Sequence, residues 1–261
     1  MRAWPVQYIR NFEYIWKLIV GWEMVMSKLP VAVCTLMFWI GTAVAGPVAD
    51  FEKTLRDVYG DYRTALFLTN AGKHPESVKS ITAFKVKWAG LEKSWGASPP
   101  PQYADDPKWK QSLDEVSATV AKAASEIESG ALPAAHKTLE AVREAIAGLH
   151  ERNGIVSFSD RMNAYHRTME HVLGRDISTL DAAAIDDIQE QAAILQYLAN
   201  DAISHPPAEA AGTPEFEGLA SAVSASADAL VAAARTGDAE KLKAGLGKLK
   251  PAYAKLFLKF G

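Results

Sequence analysis

Met162, His166 and Met169 stand four and three residues apart, a spacing that puts them on one helical face, where two thioethers and an imidazole can converge on a cation. Soft sulfur combined with imidazole selects Cu(I) or Ag(I) over Mg or Ca. His171, with Glu170 beside it, follows as a further donor. Methionine is also an ordinary filler of helical cores, so the alternative reading of the same positions is a packing face.

The M-x-x-x-H and H-x-x-M spacings of this segment are similar to the motifs of small periplasmic silver- and copper-binding proteins from metal-resistance systems. The resemblance spans about ten residues, from Met162 to His171. It implies a copper or silver site on Met162, His166, Met169 and His171.

What positions these residues is an internal repeat. Residues 51–154 slide onto 158–261 with a period of 107, so that Pro107 meets Pro214, Gly130 meets Gly237 and Gly154 meets Gly261. Apolar positions keep the same shift: Phe51 falls on Phe158, Leu66 on Leu173, Ile81 on Ile188 and Leu149 on Leu256. Met162, His166 and Met169 fall on Leu55, Tyr59 and Tyr62.

Each copy divides into four helical segments with no strand-like alternation: 51–71, 76–95, 108–129 and 133–152, then 158–174, 181–204, 214–236 and 238–258. Ile81, Phe84, Trp88, Leu91 and Trp95 form one apolar stripe, and Leu139, Val142, Ile146 and Leu149 another. Pro75 and Pro133 suit first turns, Asp160 and Asp181 suit helix starts, and Gly72, Gly130, Gly154, Gly174 and Gly237 suit helix ends. Alanine-rich runs such as 220–225 predict closer helix spacing in the second copy. Short, long, short connections predict an all-α chain of two tandem up-down-up-down four-helix bundles, residues 46–154 and 155–261, each able to fold alone.

The fourth segment of the first copy ends Ile146-Ala147-Gly148-Leu149-His150 and continues into charged residues. Four antiparallel helices, a proline-containing second loop and this closing His resemble the cytochrome c-prime family and the soluble b-type cytochromes of similar fold. The resemblance implies haem, with His150 in the place of the axial ligand. Ile146 and Leu149 replace both cysteines of the C-x-x-C-H pattern, so covalent haem is excluded. The b-type arrangement adds a Met from the first helix. The first copy has Leu55, Val58, Tyr59 and Tyr62 there, while the second has Met162 but Phe257 in place of His150. What remains is non-covalent haem b on His150 alone, or a helix-end His that complements the helix dipole. His74, His136 and His205 stand beside prolines or breakers and read as solvated.

Lys28 precedes an apolar run, residues 29–45, that ends Thr42-Ala43-Val44-Ala45. This is the pattern of a signal peptide cleaved before Gly46. Residues 1–23 read as an over-called start or as part of an uncleaved anchor, and no stretch after Gly46 is expected to span a membrane. The chain carries 28 basic and 31 acidic residues; residues 1–45 hold four and two of them, leaving 24 against 29 and a net charge of −5. No basic stripe suggests nucleic acid. The one cysteine, Cys34, lies in the leader, so the expected mature chain has no disulfide, thiolate metal site or thiol nucleophile. E-x-x-H, the zinc-protease pair of His residues, the P-loop and the dinucleotide glycine pattern are all absent from the sequence. The sequence therefore reads as an exported, periplasmic, non-enzymatic binding protein for copper or another soft metal. The alternatives are a haem b bundle and a structural module that docks a periplasmic protein partner.

Overall fold

In a computed structural model, residues 46–175 and 181–261 are described. The expected leader 1–45, with Cys34 and the cleavage position, lies outside them. The described residues are all-helical. The elements are α1 (Pro47–Asn70), α2 (His74–Trp95), a 3-10 turn (Pro101–Tyr103), α3 (Trp109–Glu128), α4 (Leu132–Arg152), α5 (Phe158–Leu173), α6 (Ala182–Ser204), α7 (Pro214–Thr236) and α8 (Ala239–Phe260).

The helix limits follow local chemistry. Helix α1 starts four residues earlier than its apolar periodicity suggests, because Pro47 occupies the first turn after Gly46, where a missing N–H costs nothing and φ is already helical. At α5 the cap is Ser157. It accepts from the Asp160 backbone N–H while the Asp160 carboxylate accepts from the Ser157 N–H at 2.8 Å, so Asp160 closes a capping box three residues into the helix. Asp181, Thr213 and Asp238 cap α6, α7 and α8 through their side chains. Four of the five glycines expected at helix ends, Gly72, Gly130, Gly154 and Gly237, have φ between 64° and 80°, which only glycine adopts without strain. Gly174 stays right-handed, with φ −76°.

Consecutive helices pack on one another within α1–α4 and within α5–α8, and each run closes, α1 on α4 and α5 on α8. Both predicted stripes point inward, with Ile81, Phe84, Trp88 and Leu91 buried in one and Leu139, Val142, Ile146 and Leu149 in the other. Phe51 anchors the end of the first run, its ring centroid 5.2 Å from Tyr103 and 5.1 Å from Trp109. In the second run α7 and α8 approach closely at Gly245, where an added Cβ would lie 3.3 Å from the Leu230 backbone.

The two runs also meet: α1 packs on α8 and α4 on α5, and the buried apolar side chains of all eight helices form one continuous core. Helix α7 has 23 residues and a most apolar window of mean hydropathy 1.2, enough by length and composition to cross a membrane. Alanine and valine give it that character, and 44% of the window is buried against neighbouring helices.

Candidate functional site

Helices α1, α4, α5 and α8 meet along the seam between the runs and enclose a cleft of about 390 Å³. Its apolar wall is Leu66, Phe67, Met169, Ala254, Phe257 and Leu258, and its polar lining is Arg63, Asn70, His136, Glu140, Arg143, His166, Glu170, Lys250 and Tyr253. Under the shift of 107, Arg63 corresponds to Glu170 and Arg143 to Lys250. All four line this one cleft, so equivalent positions of both copies build it.

Arg143 is the best-held charge of the cleft. It lies one residue after Val142 of the inward stripe of α4 and is only 3% exposed. Its Nη1 donates to His166 Nδ1 at 2.6 Å and to Glu140 Oε2 at 3.0 Å. The guanidinium carbon lies 5.0 Å from the Phe257 ring centroid, a distance at which a cation is attracted to the ring face.

Arg63 is different. It is 7% exposed, and its one hydrogen bond, from Nη2 to the Lys259 carbonyl, is long at 3.4 Å. Among the described residues, Nε and Nη1 of Arg63, Nε of Arg143 and the hydroxyls of Tyr59, Tyr62 and Tyr253 have no hydrogen-bond partner. Burial pushes Tyr59 up to about 12 and Tyr62 well above its usual value, so both are neutral phenols. A buried donor left unsatisfied costs about 1–3 kcal/mol, and more when charged.

The Arg143 contact decides the chemistry of His166. A guanidinium only donates, so Nδ1 must present its lone pair and the proton sits on Nε2, 3.6 Å from Glu170 Oε1. Burial, then the positive charge of Arg143, lowers the imidazole to about 3. Coordination of a metal at Nε2 would move the proton to Nδ1, directly against the guanidinium N–H groups. Arg143 therefore competes with a cation for His166. Met162 and Met169 are buried, as the packing reading has it, and Met169 alone of the two reaches the cleft. His171 is exposed and accepts from Arg175 Nη2 at 3.2 Å. Among the described residues no group of three or more His, Cys, Asp or Glu is placed to hold a metal ion.

His150 lies in the last turn of α4, as its position in the sequence suggests, and is 2% exposed. Its Nδ1 lies 2.7 Å from Asp160 Oδ2 and its Nε2 3.4 Å from Glu52 Oε2. Burial alone would lower its pKa, but the two carboxylates outweigh that and raise it to about 9. Each ring nitrogen thus faces a carboxylate, an arrangement that favours the imidazolium over a free lone pair. Tyr103 donates from its hydroxyl to the same Glu52. His150 is a clamp between α1, α4 and α5. Beside it lies a second depression of about 410 Å³, whose charged groups are already matched: Arg56 with Glu209 at 3.4 Å and Arg161 with Asp201.

Of the remaining histidines, His205 is exposed as expected, while His74 and His136 are half-buried and reach the Ile127 and Leu66 carbonyls at 2.8 and 3.1 Å. Sequence reasoning passed over Arg63 and Arg143. The available signal was a basic residue beside the inward stripe at the same place in both copies, Arg143 and Lys250.

Comparison of the chain with protein-family models, with curated proteins and with solved structures finds no match.

Proposed function

We propose that the protein is an exported, non-catalytic binding module made of two tandem four-helix bundles, an internal duplication whose ligand site is the cleft between the copies. Three observations support the duplication. The limits of the second, third and fourth helices repeat at the period of 107 to within two residues, each run of four helices closes on itself, and the second connection is the longest in both copies. The observation that carries the function is the cleft: about 390 Å³, lined from both copies, with an apolar wall and two buried arginines, of which Arg63 has no carboxylate partner and Arg143 keeps one N–H unmet. Small-molecule sites are concave, largely apolar and supplied with a few converging polar groups. A pure packing seam would not leave guanidinium N–H groups without acceptors.

Native mass spectrometry of the protein taken from its own cells tests this reading. Wild type should retain a small organic molecule, and Ala254→Trp, which fills the cleft, should lose it while keeping its helical circular dichroism. Recovery of the protein with copper or haem, or with the same organic molecule retained by Ala254→Trp, would overturn it.

A further inference from the structure

We infer that the ligand of this cleft is a small monocarboxylate with an apolar body, its carboxylate held by Arg63. The inference rests on the cleft being the ligand site and adds the class of molecule. Charge comes first. Arg63, Arg143 and Lys250 stand against Glu140 and Glu170, and His166 is kept neutral by its bond from Arg143. That leaves one positive charge uncompensated among the Arg, Lys and Glu side chains of the lining, which a monoanion neutralises and a phosphate dianion overshoots beside two carboxylates.

Pairing assigns the charge to a residue. Arg143 already has Glu140 and His166, and Lys250 has Glu170 at 3.0 Å. Arg63 is more than nine-tenths buried, lines the cleft and has no carboxylate within ion-pair distance among the described residues. A lining guanidinium with one long hydrogen bond and no carboxylate beside it is the strongest unfilled demand among these residues, and a carboxylate is the group that meets a buried guanidinium best. Leu66, Phe67, Met169, Phe257 and Leu258 then line the space left for an apolar body. The size suits one such molecule.

Octanoate, n-octanol and inorganic phosphate distinguish the possibilities when titrated into the full chain labelled at its methionine methyls. Octanoate should shift the Met169 methyl, which lines the cleft, and leave the core methyl of Met162 in place. It should bind at least about tenfold more tightly than octanol, and phosphate should shift neither methyl. Arg63→Gln should remove that preference and Arg63→Lys should retain part of it, with folding of each variant checked by thermal melting. If octanol binds as well as octanoate in wild type, the carboxylate assignment fails and the binding cleft stands. The contrast between the two ligands needs no variant to fold. If Arg63→Gln folds and keeps full octanoate affinity, or if phosphate alone binds, the assignment to Arg63 and an apolar carboxylate is wrong. If no probe moves the Met169 methyl, the binding cleft falls as well.

Discussion

His150 and His166 are opposite electrostatic cases a few residues from one seam. His150 is held as an imidazolium by Asp160 and Glu52, with its pKa raised from 6.5 to about 9. A base whose folded pKa is raised contributes stability that is complete below pH 6.5 and is lost as the pH climbs through 9, on the order of 3 kcal/mol for this shift. His166 is held neutral, lowered to about 3 by burial and Arg143. Its contribution is complete above 6.5 and declines as the pH falls below that value, because the unfolded imidazole takes up a proton that the folded one refuses. Stability should therefore peak near pH 6.5. Urea unfolding between pH 5 and 9 should show a decline on both sides. His150→Gln should flatten the alkaline side and His166→Tyr, which copies Tyr59 of the first copy, the acid side from about pH 5 upward. A wild-type profile flat from 6.5 to 9 would show that His150 is not held charged.

At the scale of elements, the start of α5 has a second task. Ser157 caps the helix, and its hydroxyl also donates at 2.7 Å to the Asp160 carboxylate that holds His150. Ser157→Ala removes the acceptor for the Asp160 N–H and should cost about 1 kcal/mol as a lost cap. It should leave His150 held by Asp160, since the carboxylate remains. Ser157→Asp should preserve the cap, because Asp is an equally good capping residue. A chemical denaturation series of the two variants checks this, and equal stability of Ser157→Ala and wild type would mean the cap contributes nothing here. Helix starts and ends such as these were largely legible beforehand, since a proline, a capping side chain or a glycine acts within a few residues of its own position. At α5 Asp160 marks the helix start as its position suggested, and the cap itself, Ser157, stands three residues earlier in the capping-box pattern.

On the scale of the whole molecule, the seam makes the halves unequal to the intact chain. Four amphipathic helices can form a core, so each half retains the means to fold. Separation nevertheless strips Arg143 of His166 and Phe257, and His150 of Asp160. Residues 46–154 and 155–261 expressed apart should each be less stable than the joined chain, by about 3 kcal/mol or more where a buried charge loses its partner. Mixing them should raise the melting temperature of the first half. Melting of the separate halves at the temperature of the whole would show that the seam contributes no stability.

The all-helical class, the helix limits and the inward stripes could be read from the sequence alone, because propensity, periodicity and breakers act between residues a few positions apart. The period of 107 could be read as well, since it needs only the chain compared with itself. The chemistry of the histidines could not. His166 with its two methionines and His150 at its helix end suggest ligands when each helix is considered singly. Arg143 meets His166 across 23 positions, and Glu52 meets His150 across nearly 100. Arg63 lines a wall with Tyr253 and Phe257 of the other copy. Contacts of that kind depend on which helix faces lie against the seam, and only the packing of one copy on the other decides that. A lone pair that seems free along one helix can be taken by a guanidinium from another, and a surface arginine on paper can become the unpaired charge of a buried cleft.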